Sequence, residues 1–244
     1  ERLDIFSKIV SSSFMEIFFQ GGVFEDSIFP EFKISSLLFQ KTVRTIEETV
    51  FIANTGYILP TNDLFLLGYL NSSVCEWIFK AKSTMISGGY YRYIRQYIDT
   101  IPIPKADEQQ QKTIADLAEK CQTHTQTRYE LEQKVQRRFI ENLRPVNNHE
   151  PLNTKLTQWW KLSTVTELAT EARKAFKLKK SETLKADLSN LTKQDEWEDF
   201  LKKNTGEWQD TTNTINGLEK QINEAVYTLF KLTKEEISLI ERST

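Results

Sequence analysis

From Glu108 to Leu143 the chain runs without a proline or a glycine, and no other feature constrains its fold as tightly. Asp107 stands just before this stretch and Gln110 three residues on. In that spacing the first side chain accepts from the backbone N–H of the later residue, whose own side chain accepts from the N–H of the first. One helix of about 50 Å is the expectation, at 1.5 Å per residue. Ile114, Leu117, Cys121, Leu131 and Val135 lay a coiled-coil-like stripe along it, interrupted by His124 and Arg128, so the seam should be only partly buried. Such a helix depends on a partner for its apolar side.

Trp208, Thr211, Ile215, Leu218, Ile222, Ala225, Leu229 and Leu232 supply that partner in alternating steps of three and four. Thr233 with Glu236 repeats the capping box and opens a short last helix. Trp159, Trp160, Trp197 and Phe200, lying between the two stripes, read as the core of a helical bundle. Glycine and proline divide the chain: six of eight glycines and four of six prolines precede residue 106, and from Thr154 onward there is no proline. The first part reads as α/β. Segments 33–39 and 50–59 are rich in β-branched and aromatic residues, punctuated by Pro30, Gly56 and Pro60. Asn62 or Asp63 then caps one helix carrying Leu66, Leu67, Leu70, Val74 and Ile78, which packs on the sheet and stops at Ser87-Gly88-Gly89. The expected fold class is therefore α+β: a mixed α/β domain over 1–105, a long connecting helix over 106–145, and a helical, coiled-coil-like domain over 146–244 that packs on it.

Composition excludes several function classes. The 32 basic and 34 acidic residues leave a net charge of -2, so bulk charge points to neither nucleic acid nor membrane. Apolar runs are about as long as Leu64-Phe65-Leu66-Leu67, against the ~20 residues that a membrane span needs. Cys75 and Cys121 make no disulfide framework, and with only His124 and His149 beside them no metal-ligand spacing exists. Two thiols of a cytoplasmic protein are the reading. No glycine-rich nucleotide loop, methyltransferase motif or acid-plus-lysine nuclease signature occurs, so no catalytic residue and no metal is assigned. The chain starts at Glu1, not Met, and is read as a fragment or processed piece.

Local charge tells more than the total. Residues 80–105 hold Lys80, Lys82, Arg92, Arg95 and Lys105 against Asp99 alone, a local net of +4. Tyr90, Tyr91, Tyr93 and Tyr97 are interleaved with the arginines. Arginine presents a planar donor fork to phosphates and guanine edges, glutamine can read adenine, and aromatic rings pack against bases and sugars. Lys80, Lys82, Tyr90, Tyr91, Arg92, Arg95 and Gln96 are the DNA-contact residues this chemistry selects, with the lysines on phosphate. A bland reading stands beside it: an edge strand with its tyrosines under a loop and its arginines in water. In a regular strand Tyr91, Tyr93, Arg95 and Tyr97 share one side and Arg92 the other, so either a bend follows the glycines or one arginine is structural. A second basic run, Arg173 to Lys180, reads first as a solvated helix end and only second as a phosphate contact. Asp195, Glu196, Glu198 and Asp199 could pair with it.

Four groups of residues occur in a telling order: Asn54 to Pro60; Leu66-Leu67-Gly68-Tyr69-Leu70-Asn71-Ser72; Gly88-Gly89-Tyr90-Tyr91-Arg92 with Gln96-Tyr97; and Ile101-Pro102-Ile103-Pro104. They resemble the TaqI-like C-terminal specificity domain of restriction-modification enzymes. Residues 226–237 are similar to the tail that closes many such enzymes, except that Lys231 stands where glycine is usual, so the helix is expected to run on without a left-handed cap. The likeness spans about 30–145 and 213–240. Pro102 to Pro104 followed by Glu108-Gln109-Gln110 is also similar to the recognition subunit of type I restriction systems, although no internal repeat is present here. The resemblance implies a target recognition domain for double-stranded DNA, serving an upstream adenine-specific methyltransferase domain of the same polypeptide. S-adenosylmethionine would bind in that catalytic domain, and no cofactor is expected in this fragment. The alternative is a helical protein-interaction or scaffold module, motivated by the heptad stripe and the near-neutral charge.

Overall fold

The computed structural model describes residues 13–15, 34–36, 44–46, 58–59, 62–86, 90–91 and 95–243. In chain order they form β1 (Ser13–Met15), β2 (Ile34–Ser36), β3 (Arg44–Ile46), β4 (Ile58–Leu59), α1 (Leu64–Leu70), α2 (Ser73–Lys82), β5 (Met85–Ile86), β6 (Tyr90–Tyr91), α3 (Arg95–Ile98), β7 (Ile103–Pro104), α4 (Glu108–Leu143), α5 (Thr154–Thr157), a 3-10 turn (Trp159–Lys161), α6 (Val165–Ala175), α7 (Leu191–Leu229) and α8 (Lys234–Glu241).

The protein is mostly helical, which overturns the α+β expectation. The described strands are two or three residues long, against 36 and 39 residues for α4 and α7. They pair antiparallel in three small ladders: β3-β2-β4, β1-β7 and β5-β6. In the first, Ile34 faces Ile46 and Ser36 faces Ile58. Ladders this short make no layer for helices to pack on. The β-branched composition of 33–59 expresses a preference that the described chain realises only over these few residues, whereas the buried apolar side chains sit at helical spacing and meet one another.

The expected single helix after Asp63 is two. Asp63 caps α1, its carboxylate accepting from Leu66 N at 3.0 Å. Asn71 ends α1 by donating its side-chain amide to Leu67 O, and Ser72 starts α2 by accepting from Cys75 N. Small polar side chains that bond the local backbone compete with helix continuation, and here they break it.

Two compact units divide the chain, Glu1–Thr123 with Ile215–Thr244, and His124–Thr214. In the first unit the core gathers Tyr69, Val74, Ile78 and Phe79 of α1 and α2, Ile101 and Ile103, Ile114 of α4, Ile222 and Val226 of α7, and Ile240 of α8. Asn223 of α7 accepts from Ser73 N at 2.8 Å, at the start of α2. In the second unit Leu131, Val135, Phe139 and Leu143 of α4 pack with Leu156, Trp159, Leu168, Ala172, Phe176 and Leu201. There α4 and α7 run antiparallel: Arg128 donates to Thr212 Oγ1, and Trp208 Nε1 to Glu132 Oε1 at 2.8 Å. The expected aromatic core is present. Trp160 stacks on Trp208 with centroids 4.5 Å apart, Trp159 meets Trp160 edge-on, and Arg128 lies over the Trp208 ring.

Candidate nucleic-acid interface

The motif residues of the first unit hold the segment that carries the basic and tyrosine-rich stretch. Tyr69 is fully buried in α1 and its hydroxyl donates to Pro102 O. Burial, with the nearby Cys75 as a lesser cause, raises its pKa well above the ordinary phenol value, so it stays a donor. Ile101 and Ile103 are buried beside it, and β7 pairs with β1. Ser72 is buried, and its hydroxyl donates to Tyr69 O at 2.7 Å. These residues therefore anchor both ends of residues 73–101. Of the Asn54 to Pro60 motif only Ile58 and Leu59 lie among the described residues.

Between those anchors, α2 ends at Lys82, β5 and β6 pair Met85 with Tyr91, and α3 begins at Arg95. The strand alternation expected through residue 98 fails, because Arg95–Ile98 is a helical turn. Arg92 and Tyr93 lie outside the described residues. Tyr90 and Arg95 are placed by their backbone, in β6 and α3, and Gln96 on α3 is exposed.

Both lysines have partners within the chain. Lys80 pairs with Glu76 at 2.8 Å, lies 6.0 Å over the Tyr91 ring, and donates to Ser243 O at 3.4 Å. Glu76 stands just outside the +4 window, so the folded patch is less basic than its sequence count. Lys82 donates its ammonium to Thr100 O, and partial burial lowers its pKa. Three residues absent from the sequence selection take part, Thr84, Tyr97 and Thr100: Thr84 Oγ1 and the Tyr97 hydroxyl are 2.8 Å apart. Thr100 Oγ1 in turn donates to Tyr97 O. Lys82 at the end of α2 and Thr84 two residues on thus clasp α3 and the turn that follows it. Tyr97 was visible in the tyrosine series, but Thr84 and Thr100 carry no signal in a linear reading.

The surface can offer hydrogen-bond donors and acceptors and aromatic faces. Among the described residues no three His, Cys, Asp or Glu side chains come together as metal ligands, and no helix is long and apolar enough to cross a membrane.

Residues 39–103 match the family model of the TaqI-like C-terminal specificity domain, a specificity domain and not a catalytic one. Such a domain points to DNA recognition in a restriction-modification setting. Residues 107–226 match a domain of unknown function (DUF8810) that takes in α4 and most of α7, and the specificity match includes neither helix and is narrower than the motifs implied. No curated protein and no solved structure matches the chain.

Proposed function

We propose that this chain reads the sequence of double-stranded DNA and positions a separate adenine-N6 methyltransferase domain of the same polypeptide on its site. The observation that carries the reading is the specificity match over 39–103, within which the arginine- and tyrosine-rich stretch is clasped by Lys82, Thr84 and Tyr97. Arg92, Arg95 and Gln96 would read base edges, Tyr90 and Tyr91 would pack on sugars or bases, and Lys80 and Lys82 would chiefly support them. On this reading the protein works in the cytoplasm, and S-adenosylmethionine belongs to the separate catalytic domain, with no residue of this chain assigned to it.

Selection of bound sequences from a pool of random duplexes tests the proposal. One sequence should be enriched, and Arg92→Ala should weaken binding to it by ~1–3 kcal/mol while affecting unrelated duplexes little. A pool that emerges without any preference would sink the reading. The scaffold alternative gains no support from the apolar stripe of α7, since Ile215, Leu218, Ile222 and Val226 are buried within the chain itself.

A further inference from the structure

The strongest local charge lies outside the specificity match, where two stretches distant in sequence meet at the C-terminal ends of α4 and α6. Lys185 donates its backbone N–H to Leu143 O at 3.0 Å and its ammonium to Glu141 O at 2.8 Å, which fastens the loop after α6 to the end of α4. Asn148 donates to Phe176 O and Lys177 pairs with Glu150, each at 2.8 Å, which fastens the loop after α4 to the end of α6. Arg173 folds the second loop back by donating to both Lys179 O and Glu182 O. Residues 137–150 and 171–185 contain nine basic and four acidic residues, a local net of +5 in a chain of net -2.

The four acids are already engaged. Glu141 pairs with Arg138, Glu150 with Lys177, Glu171 with Lys155 and Lys174, and Glu182 accepts from Lys179 N. Arg137, Lys179 and Lys180 are exposed and form no ion pair among the described residues. The negative end of a helix dipole explains a cation at a last turn, as with Lys185, but its reach is about one turn. It leaves the exposed loop lysines without a structural task.

We infer that this basic end of the second unit is a contact surface for the phosphate backbone of duplex DNA. Exposed lysines on a loop fastened to the end of α4, with the exposed Arg137 on that helix, suit a charged backbone and carry no base-reading geometry. The inference rests on the proposed DNA-recognition role but is separable from it: the first unit would choose the sequence, and this surface would add sequence-independent affinity.

The test is titration of the intact 244-residue chain with a random-sequence duplex oligonucleotide over a series of salt concentrations. Replacing Arg137, Lys179 and Lys180 together by glutamine should lower the slope of log K against log salt by about 2–3. The charge-keeping set Arg137→Lys, Lys179→Arg and Lys180→Arg should retain the slope. Neutralising Lys193, Lys202 and Lys203 on α7 should also leave it in place. An unchanged slope in a triple-glutamine protein with native circular dichroism would overturn the inference, as would an equal fall in the α7 control. Replacing Arg95 and Gln96 by alanine should remove any sequence preference and spare most of the random-duplex affinity. A lowered slope in the triple-glutamine variant of a protein lacking all sequence preference would support this surface while removing the reading role.

Discussion

A side-chain carbon added at Gly68 would stand 2.6 Å from Ile114 Cγ2 and 3.4 Å from Ala118 Cβ. The methyl it meets is attached directly to Cβ of a β-branched residue on α4 and has little room to swing away. Glycine at this motif position is thus explained by a close helix approach. Gly68→Ala is expected to cost about 1–3 kcal/mol in urea denaturation, with the loss falling short of additive in combination with Ile114→Ala. Lys231 shows the opposite relation between residue and backbone. Instead of letting α7 run on, it adopts the left-handed conformation at φ 50°, correcting the expectation from its missing glycine. Leu232 N donates to Tyr227 O and Lys231 N to Thr228 O, the paired bonds of a Schellman cap, and Lys177 closes α6 the same way. Lysine bears a steric cost there that glycine does not. Lys231→Gly should therefore stabilise the chain by about 0.5–1 kcal/mol, seen as a higher denaturation midpoint.

The helices begin where their side chains can satisfy the first free N–H groups. Asp107 with Gln110 and Thr233 with Glu236 both form the reciprocal box that their spacing predicts, at 2.7 to 3.3 Å. Thr164 caps α6 by accepting from Glu167 N, and Asn153 caps α5 by accepting from Leu156 N. Behind these caps α6 buries Glu171, which the sequence offered no means of singling out. The hydrogen bond from Lys174 lowers its pKa; burial opposes the shift, and Lys155 adds to it. A carboxylate whose folded pKa lies below its unfolded value contributes stability above the unfolded pKa, and that contribution is lost as pH falls through the folded one. Glu171→Gln should lower stability at neutral pH and flatten the acid side of a stability–pH profile. An acid limb that kept its full steepness in the variant would show that the proton uptake lies elsewhere. The basic run from Arg173 to Lys180 pairs with Glu171 and Glu150, and Arg173 itself is occupied with loop carbonyls. Among the described residues the acids of α7 do not pair with it; Glu196 pairs with Lys193.

At the level of the whole molecule, each long helix gives residues to both compact units, α4 through Thr123 and from His124, α7 through Thr214 and from Ile215. The apolar stripe that could have signalled an outside partner is covered by the chain's own residues in each unit. Light scattering should accordingly report a monomer. A stable dimer dissociated by Ile222→Asp would instead restore the scaffold reading. Net charge also resolves only at this scale: the chain total of -2 hides the stretch at 80–105 and the more basic junction at the ends of α4 and α6. The second is assembled from segments about thirty residues apart in sequence, which a running window does not combine.

What the sequence determined by itself was local. The span of α4, the two capping boxes, the aromatic core and the resemblance over the specificity region all follow from spacings along the chain, where backbone geometry leaves few alternatives. Tertiary structure decided what spacing cannot encode. Among the described residues it left only short ladders of strand, while the helices bury the apolar surface. It drew Lys80 to Glu76 and Lys82 to Thr100, so that charges counted as free are held within the unit. It also brought the ends of α4 and α6 together. Whether a charge is satisfied depends on neighbours that only the folded chain supplies, because its interactions are set by distance in space and not by separation along the sequence.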